Sequence, residues 1–272
     1  MNDTYKKQVC VALPCLIFLV IDDSGSMADR LIGTNDPRFL YVERLIGSVL
    51  KQLLDRCTEL RGDTVQIRPR YFLHVIVYGS DPRVWGDGLM DIQQVVERYT
   101  HSGKSFGLGG NEGGTDAAAA FEMAYEVLEK AVGDERFRSS FPPIVFHLTD
   151  GESATDATDA AEKIKQLSTE DGNVLGVNTY IGTKTNLNYA GPEDFPGYVD
   201  PSDVGTSDDN IRLFNMSSPA PQCIGQNLIE DGIFPQLRSG ARLFFDVRTQ
   251  EMLKHAIQVV GSQGSRADRS ER

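Results

Sequence analysis

Residues 16–21 (LIFLVI) are apolar without a break. A strand with no polar face must be covered on both sides, as in the centre of a parallel sheet layered between helices. The rest of the chain supplies such layers in alternation. Within residues 38–55, Val42, Leu45, Ile46, Val49, Leu50, Leu53 and Leu54 recur at helical spacing; residues 71–78 (YFLHVIVY) read as a second strand, and Ile92, Val95, Val96 and Tyr99 mark a shorter helix. Ala117, Ala120, Phe121, Ala124 and Leu128 form another helical stripe. Strands are expected at 144–149, 174–181 and 241–247, and helices at 157–167 and 252–260. This rhythm predicts an α/β class fold: a doubly wound, mostly parallel central sheet flanked by helices and joined by right-handed crossovers, Rossmann-like in layout. Ligands in such sheets bind beyond the carboxyl ends of the strands, so the loops after each strand are where chemistry is sought.

The chain has 272 residues, room for one large domain with insertions or two small ones. The alternation favours a single domain over 1–261, followed by a disordered tail at 262–272. One stretch breaks the rhythm: residues 184–222 hold five of the twelve prolines and six acidic against two basic residues. It reads as a surface insertion, either a partner-binding loop or a solvated irregular excursion. With 39 acidic and 27 basic residues the net charge is −12, which repels a phosphate backbone and argues against a nucleic-acid partner. The four cysteines make no disulfide scaffold, and Cys10 and Cys15 lack the spacing of zinc or thioredoxin-like sites, so they read as buried thiols. Lys6-Lys7 before the apolar run 9–21 imitates a secretion leader, but no small-residue cleavage site follows, and thirteen residues containing Pro14 are too few to span a bilayer. The expectation is a cytoplasmic protein without a membrane span.

The first strand runs directly into Asp22-Asp23-Ser24-Gly25-Ser26. Asp22, Ser24 and Ser26 place a carboxylate and two hydroxyls at alternate positions of a turn, where all three can converge. Oxygen donors suit hard divalent cations, although the same residues also make a plain turn with a helix cap. Two further segments favour the site: Gly113-Gly114-Thr115-Asp116 opens the alanine-rich helix with a third hydroxyl, and the strand at 144–149 ends in Asp150-Gly151-Glu152.

These three segments, in this order and at these element boundaries, resemble the von Willebrand factor A domain, also called the integrin I domain, over roughly residues 16–260. The resemblance implies that Asp22, Ser24, Ser26, Thr115 and Asp150 are the metal positions of a metal-ion-dependent adhesion site, with none of the five substituted. It implies Mg2+, with Mn2+ or Ca2+ as alternatives, held with one coordination position open to the Asp or Glu carboxylate of a partner protein. It also implies a short antiparallel edge strand, for which residues 82–85 are suitable. The 184–222 insertion departs from the compact adhesion type. The chain looks more like stand-alone intracellular bacterial members, some of them associated with Ser/Thr kinase or phosphatase modules or with stress-resistance systems, and is expected to be a non-enzymatic signalling adaptor.

Enzymatic readings fare less well. Gly103-Lys104-Ser105 imitates a phosphate-binding loop, but Arg98 stands where its first glycine is needed. The glycine run 107–114 has Glu112 in place of the third glycine of a dinucleotide loop and reads as a flexible approach to Thr115. His147 reads as a sheet histidine satisfied by a hydrogen bond rather than a general base. The remaining alternative is a metal-assisted hydrolase using the same site, with Glu152 as its base.

Overall fold

A computed structural model describes residues 4–31, 33–110, 113–151, 153–182 and 185–262. The apolar run becomes β1 (Cys15–Asp22), every residue of which is buried. It is followed by α1 (Arg38–Cys57), a hairpin of β2 (Thr58–Arg61) and β3 (Thr64–Ile67), β4 (Tyr71–Tyr78), β5 (Pro82–Asp91) and α2 (Ile92–His101). Next come α3 (Ala117–Gly133), β6 (Ile144–Thr149), α4 (Thr158–Gln166), the two-residue pair β7 (Ser168–Thr169) and β8 (Gly172–Asn173), and β9 (Leu175–Tyr180). The chain continues through α5 (Asp208–Met216), α6 (Gln222–Glu230), β10 (Phe244–Asp246) and α7 (Gln250–Ser262).

Six strands form the main sheet in the order β10-β9-β6-β1-β4-β5. β1 lies between β4 and β6, parallel to both, and only β5 runs antiparallel. An interior place for β1 follows from its composition, since an all-apolar strand needs cover on both faces. The edge strand expected at 82–85 is longer, reaching Asp91, and a register shift between Leu73 and Val75 bends its pairing with β4. None of the described helices is long and apolar enough to cross a membrane.

Two expectations need correction. The segment after residue 184 is not a solvated excursion: it carries two 3-10 turns and α5, and it buries Phe195, Tyr198, Val204 and Phe214. Phe195 packs on Phe234 and Phe245, so the segment covers the β10 edge of the sheet with aromatic rings. Of the cysteines, Cys15 and Cys57 are buried, while Cys10 and Cys223 are half-buried; all four are free thiols. The tail at 263–272 lies outside the described residues.

Candidate functional site

Strand register brings the acidic turn and the end of β6 together. Ile21 is paired with Leu148 and Asp22 with Tyr78, so the next residue of β6, Thr149, comes alongside Asp22. Thr149 donates its hydroxyl to Asp22 Oδ2 at 2.7 Å, and the Ser24 amide donates to Asp22 Oδ1 at 2.9 Å. Burial pushes the Asp22 carboxyl up to about 6, against the opposing effect of these hydrogen bonds and with the Asp150 charge adding to the rise. Ser24 precedes a 3-10 turn, Gly25–Ala28, but its hydroxyl makes no capping bond to that turn. It lies 3.2 Å from the Ser26 hydroxyl instead. A plain helix cap would aim the serine oxygen at a backbone amide.

Thr115 is delivered by the segment leading into α3. The Asp116 amide donates to the Gly79 carbonyl at 2.7 Å, one residue beyond the β4 partner of Asp22. The Thr115 carbonyl accepts from the Ala154 amide at 3.0 Å and the Ser153 hydroxyl at 3.2 Å, and Thr155 donates to the Asp116 carboxylate at 2.8 Å. Thus the loop carrying Thr115 is tied on one side to β4 and on the other to the loop after Asp150. At Gly114 a Cβ would stand 2.7 Å from Ser80 Oγ, so a larger residue there would displace the Ser80 hydroxyl. All five predicted positions therefore collect at the carboxyl end of the sheet.

Asp150 is 2% exposed at its side chain, and its two oxygens differ. Oδ2 accepts from Arg38 Nη1 at 2.8 Å, whereas Oδ1 is buried and has no hydrogen-bond partner among the described residues. The same Arg38 nitrogen donates to the Ser26 carbonyl at 3.2 Å. A carboxylate oxygen shut away from water without a donor is costly, and a cation is one way to satisfy it. The two carboxylates and three hydroxyls make an all-oxygen donor set with three of its five members neutral, which fits a hard divalent ion without overcompensating its charge. Among the described residues, no three His, Cys, Asp or Glu side chains gather into a metal-binding group. Here only two members of the set are acidic.

Three side chains that the sequence reading did not single out brace this end of the sheet. Asp23, 5% exposed, accepts through Oδ1 from the Gly109 amide at 2.7 Å and the Gly110 amide at 2.9 Å. Glu43, on the buried face of α1, accepts through Oε1 from Ser105 Oγ at 2.7 Å and from the amides of Phe106 at 2.9 Å and Leu108 at 3.2 Å. Arg83 donates to the Gly107 carbonyl at 3.0 Å. The described part of the glycine run is therefore pinned by buried carboxylates, not a flexible approach. Gly110 sits at φ +58°, where an added Cβ would stand 2.6 Å from the Ala28 amide, so glycine is needed there. For Glu43 the signal available in the sequence was an acid on the apolar face of the helix, three residues before Ile46 and seven before Leu50.

His147 is enclosed in a polar chain within the sheet and helices. Its Nδ1 lies 2.8 Å from Asn178 Oδ1 and its Nε2 2.6 Å from Tyr78 OH. With the proton on Nδ1 donated to Asn178, Nε2 accepts from the tyrosine, and Asn178 passes the chain on to Ser217 at 3.0 Å. Burial holds the imidazole down at about 4. Both nitrogens are engaged, as a structural histidine requires. Glu152, the candidate base of the hydrolytic alternative, lies outside the described residues.

Comparison with known proteins agrees with this layout. Residues 17–152, half of the chain, match the von Willebrand factor type A domain and include all five predicted positions. No curated protein matches. Among solved structures, the chain is similar to the conserved hypothetical protein BatB from Bacteroides thetaiotaomicron, with 14% identity over 92% of this chain and 98% of that one and a TM-score of 0.49. It is similar to a von Willebrand factor type A protein from Catenulispora acidiphila, with 14% identity over 93% of this chain and 43% of that one and a TM-score of 0.48. It is also similar to the manganese-loaded TRAP protein of Plasmodium vivax, with 20% identity over 64% of this chain and 59% of that one and a TM-score of 0.40. An acidic turn after a central buried strand, the order of the oxygen-bearing loops and the match over residues 17–152 place this chain in the von Willebrand factor type A domain family.

Proposed function

We propose that this protein is a protein-binding module that captures a partner's Asp or Glu carboxylate through a divalent cation, Mg2+ first among candidates, held by Asp22, Ser24, Ser26, Thr115 and Asp150. The family often uses a metal-ion site for protein binding. The observation that carries the reading here is the pair of buried acids at the strand ends, one of them with an oxygen that no donor among the described residues meets. When bound, the ion supplies a Lewis-acidic position for an outside oxygen. The chain's own part is to orient donors and exclude competing ones. Thr149 and the Ser24 amide hold Asp22 in one rotamer, the Asp23 and Glu43 braces fix the loop beside it, and the neutral hydroxyls add oxygens without adding charge. On this reading residues 1–261 work as one domain, and the whole acts as a non-enzymatic adaptor in a bacterial signalling or stress-response system, with a Ser/Thr kinase or phosphatase module as the candidate partner. We place it in the cytoplasm because the apolar run resembling a leader is the central strand of the sheet.

Mg2+ titration followed by thermal unfolding tests the site. Saturation at about a hundred times Kd stabilises the folded state by about 2.7 kcal/mol, and Asp22→Ala removes the response while unfolding stays cooperative. Persistence of the full response in Asp22→Ala, reversed by EDTA, places the ion elsewhere and overturns the reading.

A further inference from the structure

Arg38 is the first residue of α1, following Pro37 at the cap, and the first turn of that helix contains no acidic residue. A helix N-terminus carries partial positive charge, so a cation at its first position is held against the helix dipole. Its side chain is nonetheless only 21% exposed and turned inward, donating to Asp150 Oδ2 and to the carbonyl of Ser26. Both are parts of the candidate site. The two oxygens of Asp150 are thus divided: the guanidinium holds one, and the other is buried without a donor among the described residues. Asp29, the other acid near Arg38, is 3.9 Å away and well exposed, too distant and too hydrated to account for the inward pose.

We infer that Arg38 is a built-in competitor of the divalent ion: it neutralises Asp150 in the ion-free protein and lowers the affinity of the site by charge repulsion. This rests on the proposed cation site. A cation held by Asp150 would share that carboxylate with the Arg38 guanidinium, which would put two like charges beside one buried group. A like charge at that range disfavours a second cation, and the guanidinium also occupies one oxygen of the carboxylate the ion would use. The same arithmetic gives the loaded site a net positive charge: two carboxylates balance the ion, and Arg38 remains beside an incoming carboxylate. Arg38 is then a positioning and affinity-setting residue, a brake on ion binding that favours the acidic partner once the ion is in.

Mn2+ binding measured by electron paramagnetic resonance, with thermal unfolding in EDTA, tests this in Arg38→Met and Arg38→Lys. Arg38→Met is expected to bind Mn2+ at least about tenfold more tightly, to unfold at a lower temperature than wild type in EDTA, and to recover more of its Tm on adding Mg2+. Arg38→Lys, which keeps the charge, stays near the wild-type affinity. Equal or weaker Mn2+ binding by Arg38→Met, with Arg38→Lys indistinguishable from it, overturns the inference. Should Arg38→Met fail to fold, Arg38→Gln serves the same comparison against Arg38→Lys. Asp22→Ala separates the two claims: loss of Mn2+ in Asp22→Ala with no gain in Arg38→Met removes only the role of Arg38, whereas retention of Mn2+ in Asp22→Ala removes the site itself.

Discussion

Two buried aspartates stand at the carboxyl ends of parallel strands, and they are treated in opposite ways. Asp246 closes β10 and is saturated: Oδ2 accepts from Thr185 Oγ1 and Arg248 Nε, each at 2.7 Å, while Oδ1 accepts from Tyr198 OH at 2.5 Å and from Tyr189 OH. Burial and the Asp246 charge push both tyrosines far above their ordinary range, so they remain donors. Asp150 follows β6 and has the Arg38 guanidinium on one oxygen and, among the described residues, no donor on the other. Position in the fold is therefore not what makes a site. A strand-end carboxylate becomes structural when the neighbouring loop brings enough donors, and receptive when it does not. At β10 the segment after residue 184 brings Thr185, Tyr189 and Tyr198 back to the strand, and Arg248, just beyond the strand, completes the set.

This contrast can be broken by mutation. Asp246→Ala removes the carboxylate that Arg248, Tyr189, Tyr198 and Thr185 all donate to, and an expected loss of about 3–5 kcal/mol should appear as a lower denaturant midpoint, with the Mg2+ response intact. A lost Mg2+ response at unchanged stability would reverse the assignment of the two aspartates.

Acid probes the other saturated network, around His147. Its folded-state value of about 4 lies below the ordinary histidine range near 6.5. Between those limits the unfolded chain takes up a proton that the folded chain refuses, so stability falls as pH drops from 6.5 to 4, by about 3 kcal/mol at the lower end. His74, likewise lowered by burial, acts in the same direction. Denaturant melts across this window should show His147→Gln with a shallower slope than wild type; an equal slope would mean that His147 is not held neutral.

Gly110→Ala sharpens the picture at the receptive end, since a Cβ at φ +58° meets the Ala28 backbone. The expected cost is about 1–3 kcal/mol, with weakened Mg2+ binding by calorimetry because the loop shifts against the turn that carries Ser26. The smallest effect is expected for Asp150→Asn. In EDTA its stability should change by about 1 kcal/mol or less, because the amide still accepts from Arg38, while the Mg2+ response is lost.

Much of this was legible along the chain. The all-apolar run 16–21 had to lie inside the sheet, the helical spacing within 38–55 had to make one long helix, and the residues at 71–78 and 144–149 became strands with those bounds. The five oxygen-bearing positions proposed to hold the ion could be named from the chain because they lie at or just beyond the ends of strongly patterned elements. The β2–β3 hairpin was missed although Gly62-Asp63 forms its two-residue turn, with Gly62 at φ +61°. Its strands are exposed, including Leu60 and Val65, and so carry no burial pattern to read. The last strand, expected over 241–247, pairs only from Phe244 to Asp246, because the flanking residues turn to meet the segment that covers the edge.

Local periodicity dictates which stretches become strand or helix, since burial of one face is a property of a few consecutive residues. It also places oxygen ligands at strand ends, where the pattern stops. Which buried charge faces which lies beyond that reach: Arg38 and Asp150 are 112 positions apart, and Asp23 and Gly110 are 87. Partners so far apart in the chain are chosen by strand order and by the crossover helices, and folding alone settles whether a carboxylate at a strand end is filled by its own protein or left with an oxygen to give.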